Sequence, residues 1–491
     1  MGQTMNFAAI DLGAESGRVM SGAFDGRSLR LEEAYRFSNV PVRVLDSLHW
    51  DPLRLFAEIK HGLGLCAGAP GRPLAGVGID AWGVDFALLG RDDELLGNPF
   101  HYRDRRTMGM MEKAFQRVPQ EEIFERTGIQ FMPINSLYML LSLAGSPALE
   151  AAATFLMIPD LFNFWLSGRK ACEFTDATTT QLYDQRAGDW ARPLIEKLVL
   201  PSHIFLPVTQ PGTVLGPILP AVAEEIGLTS VPVIAPACHD SGSAVVAVPA
   251  RVKDYAYISS GTWSLIGVEV NAPIITPQSL TFNFTNEGGV SGTVRFLKNV
   301  MGLWIVQECR RVWAQAGEEF TYAELAGMAE KATPFVSLVD PDDEAFLRPG
   351  DMPARLREFC ARTGQPVPEA KSALLRCVFE SLALKYRVVV ERIEALLGHR
   401  VEVVHIVGGG SQNRLLCQLT ADATGRPVVA GPVEATAIGN ALVQAMALGY
   451  LRSLAEAREV VQNSFELTTY EPRPSAGWEE AYARFVRWLP A

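Results

Sequence analysis

A duplicated α/β architecture, two halves that each open on a β-hairpin and then alternate helix with strand, is the fold class this sequence predicts. Three observations lead to it. Residues 8–20, AAIDLGAESGRVM, read as an apolar run, a small-residue turn and a second apolar run, the pattern of a tight hairpin. Residues 255–269, YAYISSGTWSLIGVE, repeat that theme. The length of 491 residues accommodates about two to four domains with full cores. The halves are expected at residues 1–248 and 249–491, with the changeover near 248–253 and a cleft between two lobes.

Taken in order, residues 29–37 alternate apolar and polar and predict a third strand of the first meander. A helix is expected from Asp51 to about Cys66 and a strand over 75–80; WGVDFALLGRDDELLG then reads as strand, acidic turn and strand. Helical spacing covers 104–117, 120–127 and 136–144, with Pro133, Ile134 and Asn135 as the start signal of the last, and a short helix over 159–166 stops at Gly168. The polar run 175–181 reads as a solvated loop and not as a core element. Residues 231–248, VPVIAPACHDSGSAVVAV, are a buried strand running into a helix with His239 and Asp240 at the junction. The second half is expected to hold a strand over 281–285, helices over 297–316 and 322–331, a loop over 334–353 and a long helix over 372–397. A strand over 402–407 enters Gly408, Gly409 and Gly410; Ser411 opens a helix to about Thr424, and a strand over 427–430 and a helix over 435–448 follow.

Composition narrows the chemistry. With 44 Lys and Arg against 55 Asp and Glu the net charge is −11 and no basic cluster stands out, so nucleic acid is not an expected partner. Seven scattered cysteines without a C-x-x-C pair favour reduced thiols in a cytosolic protein and argue against zinc or a disulfide framework. The N-terminus lacks the pattern of a signal peptide and no apolar run reaches 18 residues, so a cytoplasmic location with no membrane partner is expected. Neither G-x-x-x-x-G-K-[ST] nor a strand-linked G-x-G-x-x-G occurs, which removes the P-loop and dinucleotide readings.

Three small-residue turns remain, at 13–18, 259–262 and 408–410. Hairpin turns rich in glycine aim backbone N–H groups at an anion, and Asp11 at the end of the first strand suits a metal held through water. Two such hairpins can hold the β- and γ-phosphates of a nucleotide, while the third turn opens a helix whose first N–H groups favour an anion or a nucleotide edge. Phosphoryl transfer to an alcohol then needs one base near the accepting hydroxyl. Asp240 is the candidate, although its place beside a helix start equally suits an N-cap. His239 suits a sugar hydroxyl or a satisfied core position; Trp82, Gly83, Asp85, Tyr102 and Asp104 group as a polar patch beside an aromatic wall. Arg103, Arg105 and Arg106 read as a solvated face, and Lys298 with Asn299 as polar residues at a helix start.

The motifs IDLGAESGR, GIDAWGVDFALL, YRDRRT, GIQFMPINSLYML, ACHDSGSAVVAVP, YISSGTWSLIG, TNEGG, FLKNVMGLW, HIVGGGSQN and AGPVEATAIGN together resemble the FGGY family of carbohydrate kinases over nearly the whole chain. WGVDF, GIQFMP, SSGTWSL and KNVMGLW resemble the branch acting on L-rhamnulose. The resemblance implies an actin-like (ribonuclease H-like) ATPase fold, ATP with Mg2+, and transfer of the γ-phosphoryl to the C1 hydroxyl of a ketose. L-fuculose and L-ribulose are the alternative substrates, and an ATPase or sugar sensor without kinase activity is the alternative class. It further implies that Ala14, Glu15, Ser16, Gly17 and Arg18 contact ATP phosphates, that Asp11 organises magnesium, and that Thr262, Gln307 and Gly409 touch ATP. Gly83, His239, Asp240, Ser241 and Asn299 would contact the sugar, with Asp240 as proton acceptor, in a monomer or homodimer. Gly83 and Val84 stand where glycerol kinases carry an Arg-Glu pair, which leaves room for a longer ketose. Two residues depart from the pattern: Ser241 replaces a threonine, and Glu15 replaces a small hydroxyl residue and is expected to point outward.

Overall fold

The apolar run MNFAAIDL forms the buried strand Met5–Leu12, small residues turn the chain into Ser16–Phe24, and the alternating stretch Leu29–Ser38 completes an antiparallel meander. The computed structural model describes residues 4–67, 73–228, 230–473 and 477–489. The chain divides into two compact units. The first comprises Met1–Ala247, Glu269–Leu297 and Ala435–Ser464; the second comprises Val248–Val268, Lys298–Glu434 and Phe465–Ala491. Stretches 269–297 and 435–464, which the sequence pattern assigns to the second half, therefore pack with the first unit.

In the first unit a six-stranded sheet runs in the order Thr213–Pro217, Pro232–Ala235, Leu74–Ala81, Met5–Leu12, Ser16–Phe24, Leu29–Ser38. Leu74–Ala81 lies parallel to Met5–Leu12, and a parallel neighbour requires a crossover. The helix Pro52–Ala67 supplies it, burying Leu55, Ile59, Leu63 and Cys66 along one stripe. Across the meander the register sets Asp11 opposite Arg18 on one side and opposite Asp80 on the other. A second core of this unit gathers Phe124, Phe131, Tyr138, Phe155, Trp190 and Phe205 around the paired strands Phe86–Leu89 and Thr154–Met157. Helix Ala435–Ala447 meets the middle of Asp240–Val246 in backbone contact, since a Cβ on Gly439 would sit 1.8 Å from the Ser243 carbonyl oxygen. One turn apart on that helix, Asn440 and Gln444 donate to the Gly78 and Ala8 carbonyls of the sheet.

The second unit repeats the opening plan. Tyr255–Ser260 and Trp263–Val270 form an antiparallel hairpin, with Val403–Val407 parallel beside the first of them, then Val428–Ala430 and the antiparallel Thr468–Tyr470. The helix Lys371–Leu397 is buried all round through its middle, residues 377–386, and ends at Gly398 in the left-handed conformation.

Several expectations need correction. The strand expected over 281–285 begins later, at Thr285–Gly288, because Thr276 and Ser279 form a capping box that starts the helix Pro277–Thr281. The helix expected over 297–316 is strand Val294–Met301 followed by helix Trp304–Gln315. Residues 294–297 pair antiparallel with Thr285–Gly288, so Lys298 and Asn299 lie on a strand and not at a helix head. Gly109 in the left-handed conformation breaks 104–117 into a 3-10 turn, Arg105–Thr107, and a short helix, Met110–Phe115. After the acidic turn near residue 92 only a single bridge forms, Leu89 to Leu95. The loop over 334–353 contains the helix Glu344–Leu347, and helix Met352–Arg362 starts at its end. Ser411 lies in a 3-10 turn, Gly409–Gln412, while Asn413 caps the helix Arg414–Thr424.

Residues 175–181 are the largest departure. They are buried throughout, in the helix Phe174–Ala177 and the 3-10 turn Thr178–Thr180. Most of their polarity is met by hydrogen bonds: Thr178, Thr179 and Thr180 each donate a hydroxyl hydrogen bond to the carbonyl three residues back, and Thr175 and Gln181 bond to Glu173 and to the Ile129 carbonyl. A buried polar group that is fully bonded carries little penalty.

Candidate active site

The turn at Gly13–Arg18 is braced from behind by a residue that the sequence pattern did not single out. Asn39, buried, donates its side-chain amide to the Gly13 carbonyl (2.8 Å) and its backbone N–H to the Glu15 carbonyl (2.9 Å), and Gly13 N–H closes the turn on the Ser16 carbonyl (3.0 Å). With these carbonyls held from outside, the turn is the kind of amide-lined loop that receives an anion. Glu15 is exposed, as expected, while Ala14, Ser16 and Arg18 are half-buried. Gly17 admits nothing larger, because a Cβ there would meet the Phe37 ring at 2.3 Å.

Three carboxylates interact in the first unit. Asp11 is buried and ion-paired with Arg18. Asp80, fully buried at the matching register, accepts a hydrogen bond from Asn440 Nδ2 (2.6 Å), while its other oxygen has no partner. Burial, reinforced by the neighbouring Asp11 charge, holds the Asp80 carboxyl well above the usual range. Asp240 is the first residue of helix Asp240–Val246, with His239 and not Asp240 at the N-cap position. Its Oδ1 accepts the Ser241 N–H. Burial pushes Asp240 up to about 6, opposed by His239 and reinforced by Asp11. A bridge between Ala81 and His239 ties this junction to the sheet beside Asp80.

Gly83 lies against His239 and Thr179: a Cβ there would be 3.1 Å from His239 Nε2 and 3.1 Å from Thr179 Cγ2. Val84 next to it has φ 70°, a costly conformation for a β-branched residue. It is held there by its N–H donating to Thr179 Oγ1 (3.1 Å) and its carbonyl accepting from Ser136 Oγ. Behind His239 lies an ion pair absent from the sequence-derived set. Arg295, fully buried, donates to Ser241 Oγ (2.7 Å) and the Gly288 carbonyl (2.7 Å), and lies 3.2 Å from the Glu287 carboxylate.

The rest of the expected polar patch is structural. Asp85 is fully buried and accepts from the indoles of Trp50 (2.5 Å) and Trp82 (2.9 Å), whose rings lie 4.2 Å apart; burial pushes it up to about 7. Asp104, also buried, accepts the Leu48 and Arg106 N–H groups, and Tyr102 is buried. Arg103 and Arg106 are not a solvated face: they lie over the Tyr102 and Phe100 rings, and only Arg105 is exposed.

Glu173 organises the segment that leads into the His239–Asp240 junction. Its Oε2 accepts the N–H groups of Thr175 (2.9 Å), Asp176 (3.3 Å) and Cys238 (3.0 Å) and the Thr175 hydroxyl; Thr175 Oγ1 in turn accepts the His239 N–H (3.0 Å). The Cys238-His239-Asp240 junction is thus fixed by a carboxylate 65 residues upstream.

In the second unit Thr262, Gln307 and Gly409 are the candidate nucleotide contacts. The Thr262 carbonyl accepts from Gly302 and Trp304 at the start of helix Trp304–Gln315, which carries Gln307 with its buried Oε1 unpartnered. Gly408 has φ 83°, and Gly410 packs so closely that a Cβ would lie 2.0 Å from Ser260 Oγ, whereas Gly409 between them is exposed with open space at its Cβ position. Asn299 is half-buried on its strand next to Lys298, which burial pulls down to about 8.

Among the described residues no group of three or more His, Cys, Asp or Glu side chains is arranged to hold a metal. The buried Asp11 carboxylate at its strand end is a hard oxygen donor of the kind Mg2+ takes one or two of, keeping water and phosphate oxygens for the rest. Among the same residues no helix is long and apolar enough to cross a membrane, and all seven cysteines are buried free thiols.

The chain is similar to known proteins over nearly its full length. The N-terminal domain of the FGGY family of carbohydrate kinases matches residues 8–247 and the C-terminal domain matches 256–448. A rhamnulokinase of Bacteroides thetaiotaomicron is 46% identical over 98% of this chain and 98% of its own length. One of Oceanobacillus iheyensis is 44% identical over 94% and 97%. Among solved structures, gluconate kinase from Lactobacillus acidophilus superposes with a TM-score of 0.80 at 18% identity, covering 99% of this chain and 97% of that one. Plasmodium falciparum glycerol kinase with ADP gives 0.76 at 14% identity, covering 99% and 97%. These structures share the fold.

Proposed function

We propose that this chain, which belongs to the FGGY family of carbohydrate kinases, transfers the γ-phosphoryl group of ATP to the C1 hydroxyl of L-rhamnulose, giving L-rhamnulose 1-phosphate and ADP. The observation that carries the mechanism is the meeting of Asp240, His239 and Gly83 beside the Asp11–Arg18 pair in the first unit. Asp240 takes the proton of the C1 hydroxyl as the oxygen attacks. His239 and Ser241 bind hydroxyls of the ketose, and Gly83 provides the space where a side chain would press on His239. The turn amides of residues 14–18 and the Arg18 guanidinium bind the phosphates; Thr262, Gln307 and Gly409 touch the nucleotide and Asn299 the sugar. Residues 1–248 then act as the half that binds sugar and carries the phosphate turn, and 249–491 as the nucleotide-binding half, with Asn299 reaching the sugar from it and stretches 269–297 and 435–464 packed on the first unit. Asp11 would hold Mg2+ through water, and the ion would supply neutralisation of charge on the transferring group. Buried free thiols support a reducing, cytoplasmic setting, and the enzyme works as a monomer or homodimer.

A panel of L-rhamnulose, L-fuculose, L-ribulose and glycerol, scored for ADP release and for sugar phosphate, tests the proposal. L-rhamnulose is expected to give the highest kcat/KM with one phosphate per ADP. Preference for another member would reassign the substrate, and ADP release without any sugar phosphate would end the kinase reading.

A further inference from the structure

The buried run 174–180 has no task in the chemistry of the proposed ketose site, yet it holds three neighbouring pieces of the first unit. Thr175 Oγ1 accepts the His239 N–H (3.0 Å), Thr178 Oγ1 accepts the Gly288 N–H (2.8 Å), and Thr179 Oγ1 accepts the Val84 N–H (3.1 Å). The run is itself anchored, because Glu173 accepts the Thr175 and Asp176 N–H groups at its start. A hydroxyl has one proton to give and lone pairs with which to accept. Thr179 is bonded to Asp176, at the carbonyl (2.7 Å) and at Oδ1 (3.2 Å), and its oxygen still takes the Val84 N–H.

Val84 is the strained member of this set. Its φ of 70° is a conformation that a β-branched residue rarely takes, and such outliers gather where the surrounding structure imposes them for function. Two hydroxyls impose this one, Thr179 at the Val84 N–H and Ser136 at the Val84 carbonyl. Gly83 is set as tightly. A Cβ there would come within 3.1 Å of Thr179 Cγ2, 3.3 Å of Thr179 Oγ1 and 3.1 Å of His239 Nε2, so the glycine backbone lies directly against both side chains. Gly83 and Val84 are half-buried, while Thr179 and His239 are 5% and 8% exposed. One buried run thus fixes the Gly83–Val84 segment through Thr179 and the His239 backbone through Thr175 one turn earlier.

Resting on the kinase assignment, we infer that Thr179 is a specificity-determining positioning residue: its hydroxyl and methyl fix Gly83 and Val84 against His239, so that a ketose seated on these segments presents its C1 hydroxyl to Asp240 and an acceptor of another length does not. Two substitutions separate the hydroxyl from the methyl. Thr179→Val keeps the shape and leaves the Val84 N–H without its acceptor; Thr179→Ser keeps the acceptor and removes the methyl that faces Gly83.

The test records kinetics on L-rhamnulose and glycerol, the KM for ATP and the melting temperature for wild type and both variants. Thr179→Val is expected to lower kcat/KM for L-rhamnulose by about tenfold to a hundredfold, the effect of an orphaned buried donor and a misplaced substrate. The loss should appear in the ketose KM, narrow the preference for L-rhamnulose over glycerol, and leave the KM for ATP within about twofold, with Thr179→Ser recovering most of it. The methyl is read from a cycle with Gly83→Ala, whose added Cβ meets Thr179 Cγ2. Thr179→Ser in that background should restore kcat/KM for L-rhamnulose by about threefold or more. A residue that only supported the fold would lower the melting temperature and the active fraction while leaving the ketose KM and the preference unchanged, and that result overturns the inference. Hydrogen exchange at the Val84 amide is a readout independent of turnover: it should be at least about tenfold faster in Thr179→Val than in wild type and Thr179→Ser, and equal rates in all three would also overturn the inference. Wild type that phosphorylates no ketose at all would instead defeat the kinase assignment and leave the exchange rates to decide whether Thr179 holds Val84.

Discussion

Asp240→Asn is expected to lower kcat about a thousandfold or more while leaving ATP binding within about twofold, because removal of a positioned base takes about 10²- to 10⁴-fold from a proton-transfer step. The substitution preserves shape and the amide oxygen can still accept the Ser241 N–H, so helix Asp240–Val246 keeps its start. What disappears is the capacity to take a proton. The environment also sets a pH dependence. Burial raises Asp240 to about 6, and a base works only when deprotonated, so wild-type kcat/KM should climb with pH through about 6 and then level off. Steady-state kinetics from pH 5 to 8, with nucleotide binding followed by calorimetry, check both statements. Turnover near the wild-type rate in the variant would remove Asp240 from the chemistry.

Glu173→Ala should destabilise the protein by about 3 kcal/mol or more, since three buried backbone N–H groups and the Thr175 hydroxyl lose their acceptor at once. It should also cost activity if the proposed role of Asp240 holds, because the Cys238 and His239 N–H groups that set the His239–Asp240 junction depend on Glu173 directly and through Thr175. Glu173→Gln retains an acceptor and should lose far less. The wild-type carboxyl is pushed by burial from 4.5 up to about 7, so the folded chain holds a proton that the unfolded chain releases at lower pH. Stability from this group is fully present below about 4.5 and is lost as pH rises through about 7, a contribution of order 3 kcal/mol. Denaturant unfolding at pH 5 and pH 8 should show the wild type losing stability toward pH 8 and Glu173→Gln losing less. Equal behaviour of wild type and both variants would mean that the carboxylate does not organise this segment.

The elements that were legible in the sequence are those whose physics is local. Met5–Leu12, Leu74–Ala81 and Pro232–Ala235 are apolar runs bounded by turn residues, and Gly168 and Gly398 stop helices in the left-handed conformation. Asp11, His239 and Asp240 stand at ends of apolar strands, where ligands of α/β sheets gather, and that position made them candidates. Residues 175–181 misled because their burial depends on internal threonine hydrogen bonds and on Glu173, and composition alone reads such a run as solvated. Val294–Met301 misled because an apolar pattern mixed with Arg295, Lys298 and Asn299 fits a helix face as well as a strand. Asp80 was within reach: GID at 78–80 repeats the strand-end aspartate of AID at 9–11, and the parallel register places the two side by side. Glu287 and Arg295 were not, since their meaning comes from contact with residues 48 and 54 positions away in the chain.

The most direct measurement is a crystal structure of the wild-type enzyme with L-rhamnulose and a nonhydrolysable ATP analogue. The ketose C1 hydroxyl is expected within about 3 Å of an Asp240 carboxylate oxygen, hydrogen-bonding reach for a general base, with the γ-phosphate analogue on the opposite side of that hydroxyl. A C1 hydroxyl remote from Asp240, with another side chain in that place, would contradict it.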